Sequence, residues 1–403
     1  MNRIYTIKDI AARVGVSPST ISRVLSNSPA ANVVSEKNRK HIHAVVEELG
    51  YVPNVNASRL VKNKTNLIGV VIPGMEGTNV HSSVLVDRVF NVTLGGIESV
   101  LKNNNYRILL IFKNDKFVEN KEYLRLFREN SVDGLLVWGA RFNDNYWEEA
   151  SGYNLLMINS HCEHYDKLNY IGHDNVAAAR AITGNLIRQG HRKIVYIGGS
   201  EEISIIRERF EGYKMALAEA GVLFRPELCF SGNIDRHDIN RIAEDIAAGK
   251  IDADAFQCVS DGVALHCGYN LMNHGYRIPE DITLTGGDRI EDEYAAMTAW
   301  KFPLPTFRLN SFRMGELAAQ KLLQKINGDA MLPIRELLPV ELVDPQTIKD
   351  KIEHKALRRA LPATAKPGKS GVRMETGDSK GSENGSKTGG HTLTQLSYKQ
   401  TRL

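Results

Sequence analysis

The stretch Ser17-Pro18-Ser19-Thr20-Ile21-Ser22-Arg23 sets short hydroxyls and a single guanidinium at helical spacing. Counted from Pro18, the residues Ile21, Val24 and Leu25 form one apolar stripe, and Ser19, Ser22 and Arg23 fall on the other face. Small hydroxyls can donate to phosphate oxygens at close range, and an arginine fork matches the O6/N7 edge of guanine. A face kept only for solubility would carry Glu and Lys instead. A second set of polar residues stands at the ends of apolar runs. Asp174 follows NYIGH, Ser260-Asp261 follow AFQCV, Asp288 follows ITLTGG, and Arg209 sits in the helix after KIVYIGG. Carboxylates and an arginine converging on one cleft suit a small polyhydroxylated ligand, because each hydroxyl both donates and accepts. Taken singly, each of these residues also reads as a loop-end cap.

Enzyme chemistry finds little support. Gly198-Gly199-Ser200 is not a dinucleotide fingerprint, and neither a phosphate-binding G-x-x-x-x-G-K-[ST] loop nor a nucleophile elbow is present. HCEH, residues 161–164, has an i, i+3 histidine pair but no further ligands in view, so it reads as a solvated loop and not a metal site. No catalytic residue, metal or cofactor is expected.

The elements that must position these residues divide the chain into four parts. In residues 1–51, three short helices are expected. Ile7, Ile10, Ala11 and Val14 give the first its stripe, with Thr6 and Asp9 spaced as a capping box. Gly15 supplies the turn, Ser17 caps the second helix and Pro18 takes its first position. Ser35 opens the third, which carries Ile42, Val45, Val46 and Leu49 and ends at Gly50. Two helices joined by a short Gly turn and braced by a third make a helix-turn-helix, whose second helix enters the major groove. Residues 52–66 read as a basic hinge or linker, in which Ala57 and Leu60 lie one turn apart as a candidate minor-groove wedge.

Residues 67–345 alternate short β-branched runs with helical stretches, a pattern that means parallel sheets covered by helices. So many strands fit two α/β lobes better than one sheet, with ligands beyond the carboxyl ends of the strands. Residues 346–403 are basic and of low complexity, the composition of disorder. Charge follows the same division. Residues 1–66 hold 10 Lys/Arg against 4 Asp/Glu, residues 67–348 hold 29 against 38, and the tail holds 12 against 5. A basic head on an acidic body points to a polyanion partner at the head. The four cysteines form no C-x-x-C pair and read as reduced thiols, and the charged start argues against a signal peptide. With no long apolar run for a membrane span, a cytoplasmic protein is expected.

DIAARVGVSPSTISRVL, VVSEKNRKHIHAVVEELGYVPN and NASRLVKNKTNLIGVVIP closely resemble the opening of the LacI/GalR family of bacterial transcription regulators. The resemblance implies that Pro18, Ser19 and Arg23 are base-reading positions. It implies further that Asn54 to Lys62 form a hinge helix that folds on operator DNA, with Leu60 inserted at the central base step. It continues more weakly through VDGLLVWG, RERFEGYKMALAEAG and YRIPEDITLTGGD, and implies the two-lobed periplasmic-binding-protein fold for the effector domain. By position, Asp174, Arg209, Ser260 or Asp261, and Asp288 match effector contacts, and Phe90 an aromatic of the pocket. Asp87-Arg88-Val89-Phe90 departs from the usual Asn-Pro-aromatic-aromatic pattern, and Ile234 stands where many members place a sugar-stacking ring. The expectation is therefore a regulator, most simply a repressor. It would bind palindromic double-stranded operator DNA as a homodimer under control of a small molecule such as a sugar. The rivals are an architectural DNA-binding protein with a vestigial cleft, and an α/β ligand-binding protein or enzyme with a DNA-like head.

Overall fold

The computed structural model describes residues 5–25, 33–52, 64–74, 84–163, 165–232, 234, 236–289, 304–329 and 333–343. Asn54, Ala57, Leu60 and the tail 346–403 lie outside the described residues.

The head holds α1 (Ile7–Val14), α2 (Pro18–Leu25) and α3 (Glu36–Glu48). Its local code works as the residue types dictate. The Thr6 hydroxyl accepts from the Asp9 amide at 3.4 Å and the Asp9 carboxylate accepts from the Thr6 amide at 2.7 Å, a complete capping box. Gly15 closes α1 at φ 77°, a left-handed conformation that costs glycine little. Ser35 caps α3 by accepting from the Asn38 amide. Ile10, Ala11, Ile21, Val24, Ile42 and Val45 are buried together, so all three helices share one small core. Arg13 of α1 also pairs with Glu48 of α3 at 2.7 Å.

The body has two parallel sheets. The first runs β2-β1-β3-β4-β5-β11, formed by β1 (Leu67–Pro73), β2 (Arg107–Lys113), β3 (Gly134–Trp138), β4 (Leu155–Ile158), β5 (Tyr170–His173) and, much later in the chain, β11 (Arg335–Leu338). Its faces are covered by α4 (Arg88–Asn103), by the short α5 (Asp115–Glu119) and α6 (Glu122–Arg128), and by α11 (Ser311–Asn327). α4 and α11 cross so closely that a Cβ on Gly96 or Gly315 would run into the opposing backbone, at the Phe312 and Thr93 carbonyls. Glycine is required there for close approach.

The second sheet runs β7-β6-β8-β9, formed by β6 (Ile194–Ile197), β7 (Cys229–Phe230), β8 (Ala255–Cys258) and β9 (Thr283–Thr285). α7 (Asn175–Arg188), α8 (Ser204–Glu219), α9 (Arg236–Ala247) and α10 (Asp261–Asn273) belong to it. A two-stranded antiparallel ribbon, β10 (Thr306–Arg308) and β12 (Glu341–Val343), rests on α7 through Phe307, Ala178 and Ile182. The chain passes from lobe 1 to lobe 2 at Asp174, returns before α11, and crosses again after β11. The two-lobed α/β reading therefore holds, and the alternation of buried strands with amphipathic helices is its physical origin. No described helix is long and apolar enough to cross a membrane.

Candidate nucleic-acid face and interlobe cleft

On the head, packing sorts α2 as its stripe predicts. Ile21 and Val24 are buried, whereas Ser17, Pro18, Ser19, Ser22 and Arg23 are exposed and Thr20 is half-buried. Ser17 Oγ lies 2.8 Å from Ser19 Oγ and 2.9 Å from Thr20 Oγ1, and accepts from the Thr20 amide at 3.2 Å. The cap thus gathers three hydroxyls at the N-terminus of α2, where the helix dipole favours an anion. Ser35, exposed, caps α3.

In the body, the carboxyl ends of both sheets meet. Arg209, only 5% exposed, lies in α8 and is held from four sides. Its Nε donates to Asn175 Oδ1 at 3.1 Å, Nη1 donates to the Val259 carbonyl, and Nη2 donates to Asp288 Oδ1 at 2.7 Å. The guanidinium also sits 4.7 Å from the Phe307 ring centroid. Asp288 adopts φ 89° and donates its amide to the Phe307 carbonyl, so a non-glycine residue is kept left-handed where its carboxylate meets Arg209. Of the residues expected to converge, the structure brings Arg209 and Asp288 into contact.

The others stand nearby in structural roles. Asp174 caps α7 by accepting from the Ala177 amide at 2.9 Å, and Ser260 caps α10 through the Val263 amide. Asp261 is fully buried and accepts from the Thr306 hydroxyl at 2.6 Å, tying α10 to the ribbon. Phe90, buried at the start of α4, packs edge-to-face on Trp138 with ring centroids 5.3 Å apart.

One expectation is overturned. His161 is not part of a solvated loop: it is 7% exposed, and its Nε2 lies 2.9 Å from Glu208 Oε1 of α8. Its backbone amide donates to Ser204 Oγ at 3.0 Å, and its Nδ1 lies 2.8 Å from the Cys162 carbonyl. A polar side chain beside a strand end is consumed here by the opposite lobe. Glu208 Oε2 in turn accepts from Asn175 Nδ2, whose other amide atom holds Arg209. Arg207 stacks on Phe142 at 3.9 Å, and Arg141 pairs with Glu202 at 3.6 Å, so the same edge of the two lobes is shut by several contacts. No cluster able to hold a metal occurs among the described residues.

Two titratable groups in the cleft are displaced. Burial, and next the Arg209 guanidinium, push the His173 imidazole down to about 4, against weaker opposing effects of Asp288 and the Asn310 backbone. Desolvation raises the Asp87 carboxyl, with a further push from Asp288, although the Phe90 amide it caps pulls the other way. His173, Asn175, Glu208 and Phe307 were not read from sequence. The signal available for His173 and Asn175 was their place beside Asp174 at a strand end.

A helix-turn-helix head with an uncluttered exposed reading face, joined to two parallel lobes whose strand ends meet over buried charge, defines a DNA-binding protein with a periplasmic-binding-protein-like body. Residues 6–54 match the model of the bacterial regulatory proteins of the lacI family, and residues 183–348 match a periplasmic binding protein-like domain. The chain is 29% identical over 356 residues to the HTH-type transcriptional repressor PurR of Vibrio atlanticus, covering 85% of this chain and 98% of that protein. It is 26% identical to the HTH-type transcriptional repressor CytR of Escherichia coli, covering 84% and 94%. Among solved structures, the lac repressor dimer bound to operator and the anti-inducer ONPF has a TM-score of 0.70 at 22% identity, covering 86% of this chain and all of that one. The CelR–cellobiose complex has a TM-score of 0.60 at 24% identity, covering 84% and 98%. The chain belongs to the lacI family of bacterial regulatory proteins.

Proposed function

We propose that this protein is a cytoplasmic transcriptional repressor that reads palindromic operator DNA as a homodimer and changes its operator affinity when a small molecule binds between the lobes. The observation that carries this is the exposed hydroxyl-and-arginine face of α2 in the same chain as a cleft with the buried Arg209–Asp288 pair. Relatives named as repressors and a similar structure bound to operator support the DNA reading. Arg23 is the base reader, Pro18, Ser19, Ser22 and Thr20 line the approach, and Asn54, Ala57 and Leu60 form the hinge contact. Phe90, Asp174, Arg209, Ser260, Asp261 and Asp288 surround the effector, for which a sugar is one chemistry supported by the cellobiose-bound neighbour. The edge strand β2 exposes Leu109, Leu110 and Phe112, an apolar rim that supports association of two copies. Two heads on a two-fold axis multiply the specificity of one small module. An effector shifts operator affinity only by its differential affinity for the two states, typically ~1–3 kcal/mol. Selection of bound sequences from random duplex DNA, followed by titration of the winning duplex with small molecules, tests this. A palindrome whose binding responds to one compound is expected. Sequence-indifferent binding would instead favour an architectural protein with a vestigial cleft.

A further inference from the structure

Each of the large apolar clusters lies within one lobe, whereas polar contacts hold the edge at which His161 meets α8. There the Phe142 amide donates to the Glu202 carbonyl at 2.5 Å, and the His161 amide donates to Ser204 Oγ. Contacts of this kind can part without exposing a core. The His161 ring faces an acceptor at both nitrogens. Nδ1 lies 2.8 Å from the Cys162 carbonyl, which only accepts, so this nitrogen carries a proton. A neutral imidazole then presents a lone pair at Nε2, yet Nε2 lies 2.9 Å from Glu208 Oε1. The contact therefore needs one proton more than a separated neutral imidazole and carboxylate. Glu208 Oε2 accepts from Asn175 Nδ2 at 2.8 Å, as a carboxylate does, which assigns the extra proton to the ring. The other charged and titratable groups around the ring are engaged elsewhere. Arg207 and Arg209 of α8 turn to Phe142 and Asp288, and Arg141 pairs with Glu202. On β5, Tyr170 stands edge-on at 4.9 Å and donates its hydroxyl to the Asn159 carbonyl, and His173 lies toward Arg209. Asp174 caps α7, Cys162 is buried, and Glu163 is exposed.

We propose that His161 and Glu208 form a proton-operated latch between the lobes, closed while the imidazole is protonated and weakened when it is not. The closed edge binds the extra proton more tightly than the open one. Raising the pH through the ordinary imidazole range, about 6.5, therefore shifts this edge toward opening. The latch stands on contacts between the lobes and requires neither DNA nor effector. Its state reaches the centre of the cleft through Asn175, which holds Glu208 with one amide atom and Arg209 with the other.

The test is amide hydrogen exchange of the full chain at about pH 6 and about pH 8.5, comparing wild type with His161→Leu and Glu208→Gln. The readout is the segment around Phe142, whose amide bonds across the lobes and whose sequence is the same in all three proteins. Comparing proteins at one pH cancels the intrinsic pH dependence of exchange. At the lower pH, His161→Leu should exchange about tenfold faster than wild type in this segment, the worth of one charge-assisted hydrogen bond. At the higher pH that gap should close to within about twofold, because the wild type has lost the proton. Glu208→Gln replaces the carboxylate by an amide that donates to a neutral Nε2, so its protection relative to His161→Leu should be the same at both pH values. Exchange in β3, inside lobe 1, serves as the control for folding. No gap at the lower pH, or a gap of equal size at both, would overturn the latch. If His161→Leu does not fold, the ratio of wild type to Glu208→Gln decides, since it should change with pH and a constant ratio refutes the proposal. A wild-type protein that selects no duplex would sink the regulator reading and leave this comparison standing.

Discussion

Lowering the pH should destabilise the protein through His173, and the size of the effect follows from its surroundings. The imidazole sits at the end of β5, 1% exposed, and burial with the nearby Arg209 guanidinium holds it near 4, against an ordinary value of 6.5. A depressed histidine is neutral in the fold and takes up a proton on unfolding, so the unfolded chain binds more protons between these two values. Stability from this source is complete above about pH 7 and is lost as pH falls through 6.5 toward 4. From pH 7.5 to pH 5.0 the loss is about 2 kcal/mol, because a tenfold difference in proton affinity between the two states is worth roughly 1.4 kcal/mol. Asp87 acts in the opposite sense, because its raised carboxyl holds a proton more readily in the fold than in the unfolded chain. The assay is therefore a difference measurement. Urea unfolding of wild type and His173→Phe is followed at intervals between pH 7.5 and 5.0, and the stability of the variant relative to wild type is plotted. The variant should gain about 2 kcal/mol on wild type over that range, because contributions common to both cancel. Parallel curves would mean that His173 is as easily protonated in the fold as outside it. Burial and Arg209 would then not govern its protonation.

Other substitutions probe separate parts. Arg23→Ala should cost about 1–3 kcal/mol in operator binding while largely sparing nonspecific DNA, as expected for a base-reading fork; equal losses on both DNAs in a gel-shift or anisotropy titration would assign it to phosphate. Asp288→Asn keeps the shape beside Arg209 and should abolish the effector response, whereas Asp288→Ala should also lower stability by about 3 kcal/mol, because it leaves a buried guanidinium unpaired. Dose-response curves together with melting separate the two effects. Gly315→Ala should destabilise the body by about 2 kcal/mol in urea unfolding, since its Cβ meets the Thr93 carbonyl at the α4–α11 crossing. Thr6→Ala removes the α1 cap and should cost the head about 1 kcal/mol, read from its helical circular dichroism on heating.

The head was legible almost residue by residue because its signals are local. Thr6 with Asp9, Gly15, Ser17-Pro18 and Ser35 each act within one turn of their own position. In the body, LIGVVIP and GLLVW are continuous apolar runs because parallel strands are covered on both faces, and both are strands over their full length. α8 starts at Ser204 behind Ile203, which offers no side-chain cap to mark the boundary in the sequence. α9 carries its period in Ile239, Ile242, Ala243 and Ile246, which are buried at helical spacing. β7, β10, β11 and β12 have only two to four residues each, too few to show a period. The cleft was half legible. Residue type and strand-end position led to Arg209 and Asp288. No spacing could reveal that Glu208 would reach His161, or that Asn175 would hold both Glu208 and Arg209, because those pairings arise only when distant segments close on one another.

Lobe 2 is drawn chiefly from one unbroken stretch, whereas lobe 1 needs α11 and β11 from near the far end of the described chain. During synthesis the head, with its own small core, emerges complete while the first five strands of lobe 1 still lack the helix that seals α4 and the strand that covers the free edge of β5. Lobe 2 can condense before lobe 1 closes, since domains fold as their residues become available. A chain cut before residue 311 would therefore retain a complete reading head on a body whose first sheet is open. The order of translation defers completion of lobe 1 until the sheet and helices of lobe 2 have emerged, with only β12 of the ribbon still to follow.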